Sequence, residues 1–115
     1  MKVTQGASFQ KELKKLTRKY RSLDADLDVL ERLIESFPFG EDARHCTALK
    51  RDGDKCLCKR RMMCRSLKST EFRVVYYYDG TELELVYLEL YFKGDKETEN
   101  NERLEKFWQE KTSDL

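Results

Sequence analysis

Apolar residues recur along this chain in two different periods. Phe9, Leu13, Leu16 and Tyr20 fall at i, i+4, i+7 and i+11, a single stripe on a helix whose other faces carry Lys11, Lys14, Lys15, Arg18 and Lys19. Ser8 is placed to cap that helix, which would begin at Phe9. Arg21 and Ser22 interrupt the pattern. A second stripe follows, made of Leu23, Leu27, Leu30, Leu33, Ile34 and Phe37. Ser22 is its expected N-cap, Asp24 and Asp26 suit the positive end of the helix dipole, and Pro38 with Gly40 ends it. Two amphipathic helices with a two-residue joint predict an antiparallel hairpin over residues 1–37. Neither stripe is buried without a second layer.

Downstream the period falls to two. Extended segments run from Cys56 to Cys64, Glu71 to Tyr78 and Glu82 to Phe92, the last two rich in Val, Tyr and Phe. Asp79-Gly80 lies between the second and third, and Asp-Gly between apolar runs is a strong hairpin signal because Gly accepts the positive φ of tight turns. This predicts an antiparallel meander over residues 56–93, with a short edge strand at Met1 to Thr4 as its fourth member. Residues 38–55 read as a long loop, with Arg51 to Asp54 as the turn into the first strand. Asp95 is the expected cap of a terminal helix within residues 95–110, whose apolar content is limited to Leu104, Phe107 and Trp108. The fold class expected is α+β: one domain over residues 1–115, in which the helix hairpin packs on a three- to four-stranded antiparallel sheet and a helix closes the chain.

Composition narrows the class. Hydrophobic residues make up 39% of the 115 positions and aromatic ones 11%, enough for a modest core despite the 39% that are charged. No apolar run approaches the roughly 18 residues that span a bilayer, and Met1-Lys2-Val3 leads into polar sequence without a secretory pattern, so a cytoplasmic chain with no membrane partner is expected. Net charge is close to zero, but its distribution is uneven. Residues 44–73 carry 10 basic and 3 acidic side chains, a net +7, whereas residues 79–110 carry 4 basic and 10 acidic, a net −6. A block of that sign and density suits nucleic acid or an acidic partner; a solvated surface balanced by the acidic tail is the plainer alternative.

Four cysteines, Cys46, Cys56, Cys58 and Cys64, lack the paired two-to-four-residue spacing of a zinc site. Cys56, Cys58 and Cys64 share a strand face, which favours packing as small hydrophobes over a metal or a disulfide. No metal and no other cofactor is expected. Lys59 and Arg61 fall on the opposite face, and Arg60 lies between them in sequence. Arg73 on the next strand, with Arg65 and Lys68 in the connecting turn, is placed to converge on the same phosphate. His45, the single histidine, falls in the loop and reads as inert.

The order and spacing of several stretches resemble the RelE/ParE superfamily of toxins from type II toxin–antitoxin systems. They are Phe9-Gln-Lys-Glu-Leu-Lys-Lys-Leu16, Tyr20 to Leu27, Lys59-Arg60-Arg61, Cys64 to Lys68, Phe72 to Gly80 and Tyr91 to Glu97. The resemblance implies a microbial-RNase-like domain that, in the RelE branch, cuts mRNA in the ribosome. In the ParE branch the same fold inhibits DNA gyrase. It also implies a small antitoxin as partner. Carried onto this chain, it points to Arg61, Arg73, Tyr91 and Lys93 as catalytic residues, with Lys59, Arg60, Arg65 and Lys68 binding RNA phosphates. Many relatives hold a histidine near the end of the last strand, where this chain has Phe92. Three classes of function follow: a metal-independent endoribonuclease acting on ribosome-bound mRNA, a non-enzymatic toxin-like binding module, and a basic nucleic-acid-binding domain. Oligomeric state stays open.

Overall fold

The architecture is described from a computed structural model, for residues 1–42 and 45–113. Strand β1 (Lys2–Gln5) leads through Gly6 into helix α1 (Ala7–Thr17), and helix α2 (Leu23–Ser36) follows. Four strands then run in succession: β2 (Cys46–Asp52), β3 (Lys55–Cys64), β4 (Ser69–Asp79) and β5 (Glu84–Phe92). Helix α3 (Asn101–Thr112) closes the fold. The strands form one five-stranded sheet in the order β1-β5-β4-β3-β2.

The antiparallel meander is present, but the sheet is larger than expected and mixed. β1 pairs parallel with β5, Val3 opposite Leu85, and its direction is set by the turn at Gly6, whose amide donates to the Tyr87 carbonyl. β2 pairs antiparallel with β3 inside the stretch read as a loop. It is an edge strand with most of its residues partly or fully exposed, so it carries no alternation of apolar and polar positions to betray it. Helix starts also differ from expectation. Gly6, not Ser8, precedes α1, and Asn100, not Asp95, caps α3 by accepting from the Arg103 amide.

Side chains alternate across the sheet, and each face has its own cover. α1 and α2 lie on the face that carries Cys56, Cys58, Met62 and Cys64, together with Phe72, Val74, Tyr76 and Leu90. Phe9 stacks on Tyr87 with ring centroids 5.1 Å apart, and Tyr20 meets Phe72 edge-on. All four cysteines are free thiols, and the three on β3 are buried in this core. The opposite face packs Leu57, Val75, Tyr77, Val86 and Leu88 under Leu104 and Trp108 of α3. α3 covers only one end of that face; toward Arg61 and Arg73 the sheet has no helix above it.

Ser22 occupies the N-cap position of α2, as expected, but its side chain makes no capping bond. Its hydroxyl donates to Asp26 and accepts from the Ser66 amide, while buried Asp26 accepts from both the backbone and the guanidinium of Arg65. The N-terminus of α2 is thereby tied to the β3–β4 turn. Gly40 has φ +77°, and a Cβ there would lie 2.7 Å from the Cys46 sulfur. Gly40→Ala is therefore expected to lower stability by about 1–2 kcal/mol through backbone strain and overlap, measured by chemical denaturation at an unchanged m-value.

Candidate functional site

The site is built on a row of three strands, β3, β4 and β5, where the sheet lies under the segment that leads to α3 and not under a helix. Arg61 on β3 lies directly opposite Arg73 on β4, and Arg73 directly opposite Tyr91 on β5. Lys59 sits two residues from Arg61 on the same face, with Thr47 of β2 as its cross-strand partner. Lys93 follows the end of β5, its amide held by the Glu71 carbonyl. Together Lys59, Arg61, Arg73 and Lys93 line a polar pocket of about 290 Å³, shared with His45, Cys46 and Thr47.

Like charges directly across a ladder are unfavourable unless something negative lies between them. Arg73 shows this strain. Burial, and then the charge of Arg61, hold its guanidinium below the usual arginine range. Part of its hydrogen bonding is internal, with one nitrogen donating to the carbonyls of Thr70 and Phe72. Lys59 is already neutralised by Glu99, 2.8 Å away in the segment leading to α3. Arg61 and Lys93 have no side-chain hydrogen bond or ion pair among the described residues. The pocket is a cationic cleft with two uncommitted donors and no facing carboxylate between the arginines.

The remaining expected site residues lie elsewhere. Arg60 does not line the polar pocket. It is 2% exposed on the helix face, makes paired bonds to Asp42 of 2.9 and 2.7 Å, and donates to the Phe37 carbonyl and the Tyr76 hydroxyl. Burial works against its charge, but the Asp42 carboxylate and Tyr76 more than offset this and raise its pKa. The period of two that puts Lys59 and Arg61 outward necessarily turns Arg60 inward. Arg65 is engaged by Asp26 and lies outside the polar pocket, and Lys68 occupies the β3–β4 turn with φ 55°. Tyr91 is buried beyond Arg73, with Lys96 over its ring, and does not line the pocket. Burial, then Glu99 and Glu89, push its hydroxyl up to about 12.

His45 is the residue that sequence reasoning passed over. Its carbonyl accepts the Arg61 amide at 2.9 Å, which extends the β2–β3 ladder by one position and sets the histidine beside the Arg61–Arg73 rung. The available signal was the turn at Gly53. Pairing backward from it, with one bulge near Leu49, leads from Arg51 opposite Cys56 to Cys46 opposite Arg60. Among the described residues, no three His, Cys, Asp or Glu side chains are grouped to hold a metal ion.

A second, apolar groove of about 660 Å³ adjoins the polar pocket, and Arg61 and His45 line both. Its walls are Val29 and Leu33 of α2 and Met63 of β3, which are 56%, 40% and 50% exposed. Arg32 and Arg65 stand at its rim.

A five-stranded mixed sheet with helices on both faces defines a small α+β class, and a solved structure resembles it in fold. The crystal structure of an archaeal RelE–RelB complex from Pyrococcus horikoshii OT3 contains a chain that superposes with a TM-score of 0.58, covering 81% of this chain and 94% of that one at 18% identity. The two chains thus share a fold. No protein-family model and no curated protein sequence matches it. Among the described residues no helix is long and apolar enough to cross a membrane.

Proposed function

We propose that this chain is the toxin of a toxin–antitoxin module, an endoribonuclease that cuts ribosome-bound mRNA in the cytoplasm and so represses translation. The observation that carries this reading is the Arg61–Arg73 rung, two guanidiniums opposed across a ladder with Lys59 and Lys93 beside them. Such an arrangement suits an anion that gains charge during reaction, as a phosphodiester does when the ribose 2′-oxygen attacks it. The pentavalent phosphorane is stabilised by preorganised donors, and arginine engages phosphate oxygens bidentately. Charge from Arg and Lys does this work here without calling on a metal. Arg61, Arg73 and Lys93 take the role of transition-state donors, and Lys59 exchanges Glu99 for a backbone phosphate. Tyr91 acts by supporting Arg73, since it is buried opposite that residue and outside the pocket.

The complex in which the structural neighbour was solved suggests a small antitoxin as partner. The apolar groove between α2 and β3, with Arg32, Arg61 and Arg65 along it, suits an amphipathic segment with acidic flanks. A segment seated there reaches Arg61 and closes the polar pocket from the side.

The test is induced expression followed by primer extension on a reporter mRNA. Growth arrest with new 5′ ends in translated messages is expected, reversed by co-expression of the adjacent open reading frame. Arrest with intact mRNA favours a gyrase-type toxin instead. In vitro, four phosphate contacts predict that log K for single-stranded RNA falls with log salt with a slope of about 3. Arg61→Ala combined with Lys93→Ala should flatten it by about 1.4. An unchanged slope removes both residues from the RNA interface.

A further inference from the structure

We infer that His45 is the general base of the cleavage, taking the proton of the ribose 2′-hydroxyl in the pocket floored by Arg61 and Arg73. The assignment rests on the ribonuclease reading and deepens it, because that reading supplies positive charge but no proton acceptor.

Position comes first. His45 is exposed, yet its backbone is anchored by the hydrogen bond from the Arg61 amide, so it sits at a fixed point of the sheet edge. Residues on β2 opposite Arg61 and Lys59 share the face of those two side chains, and His45 and Thr47 both line the polar pocket. His45 therefore lies at the rim of the same cleft as the uncommitted donors, at the end of the strand opposite them.

Elimination makes the case sharper. Each other group lining that pocket is unable to accept a proton near neutral pH. Lysine and arginine side chains carry donors and no acceptor, which sets aside Lys59, Lys93, Arg61 and Arg73. Thr47 is a neutral alcohol. Cys46 is held as a thiol, because its hydrogen bond with Cys58 and its burial push its pKa far up. Tyr91 lies outside the pocket with its proton in place. Glu99 is committed to Lys59, and Glu89 is fully buried and bound by Lys96 and the Asn100 amide. Imidazole is the side chain suited to proton transfer at this pH.

The step balances without an outside reagent. A ring nitrogen of His45 removes the 2′-hydroxyl proton as the 2′-oxygen forms a bond to the adjacent phosphorus. The bond from phosphorus to the 5′-oxygen breaks, and that oxygen takes a proton from water. The hydroxide left behind is neutralised by the imidazolium, which restores the base. The products are a 2′,3′-cyclic phosphate and a 5′-hydroxyl, and nothing is oxidised or reduced.

The experiment compares wild type with His45→Gln, His45→Ala and Arg61→Ala on programmed ribosomes, from pH 5 to 9. The groups facing His45 across this range are Lys59, Arg61, Arg73 and Lys93 in the pocket. On the groove side they are Arg32, Asp42 paired with Arg60, and Asp26 paired with Arg65. The expected result is a loss of about 10²–10⁴ in rate for both His45 variants, with RNA affinity and melting temperature unchanged. The wild-type rate should rise tenfold per pH unit on the acid side, and that limb should vanish in His45→Gln. Added imidazole should partly rescue His45→Ala. A substrate with sulfur as the 5′ leaving atom, which needs no acid, should leave the defect in place. If that substrate restores the rate, His45 protonates the leaving group and the assignment as base is wrong. If His45→Gln cuts within threefold of wild type while Arg61→Ala is inactive, the base is elsewhere and the nuclease reading stands. If wild type binds RNA and cuts nothing, both fall together.

Discussion

Arg61→Ala is expected to abolish toxicity and lower the rate of mRNA cleavage by about 10²–10³, the usual loss for one transition-state donor. The structure makes this a test of chemistry alone. The Arg61 side chain is exposed and has no hydrogen bond or ion pair among the described residues, so nothing in the fold depends on it. Its removal also relieves the repulsion across the rung from Arg73. Stability should therefore change by no more than about 0.5 kcal/mol in either direction. Primer extension in induced cells gives the first quantity and urea denaturation the second. A folded Arg61→Ala variant that remains as toxic as wild type would remove the ribonuclease site from this face of the sheet.

Arg60→Ala, one residue earlier, should behave in the opposite way. This guanidinium is sealed under the segment joining α2 to β2 and binds Asp42, the Phe37 carbonyl and the Tyr76 hydroxyl. Tyr76 in turn donates to the Pro38 carbonyl, so the side chain joins that segment to the sheet through three partners. Its removal takes away the donor of the Phe37 carbonyl and leaves a cavity where a 2%-exposed side chain stood, and a loss of about 2–4 kcal/mol is expected. That is a large part of the stability of a domain this size. The expected outcome is a melting temperature lower by more than 10 °C or insoluble protein, with any cleavage defect proportional to the fraction unfolded. Arg60→Lys should not rescue it, because an ammonium ion reproduces neither the paired bonds to Asp42 nor the reach to Phe37. A variant that stays folded and loses only RNA affinity would return Arg60 to the phosphate surface.

The two neighbouring arginines show where sequence reasoning succeeded and where it stopped. A period of two separates Lys59 and Arg61 from Cys56 and Cys58, and the structure keeps that separation: cysteines in the core, Lys59 and Arg61 on the other face. The same period places Arg60 with the cysteines. Its charge made it read as part of one basic run, yet a charge buried with its own carboxylate is a structural element, and the carboxylate lies 18 residues away. Arg65 pairs with a carboxylate that is equally distant in sequence, Asp26 on a helix 39 residues earlier, while its side chain stays exposed.

Local periodicity determined a good deal by itself. The two N-terminal helices, the β4–β5 hairpin and the inward cysteines are each written in patterns spanning fewer than about twenty residues, where burial of one face dictates the spacing of apolar side chains. The tertiary structure alone decided the rest. β1 and β2 are edge strands with few buried side chains, so their pairing is set by backbone hydrogen bonds to β5 and β3 and leaves little mark on composition. The same holds for His45. Nothing in its own neighbourhood marks it, and it joins the site because antiparallel pairing brings its carbonyl to the Arg61 amide. Periodicity reports which way a side chain faces; which residues from distant strands meet on that face is a property of register, and register exists only once the sheet has formed.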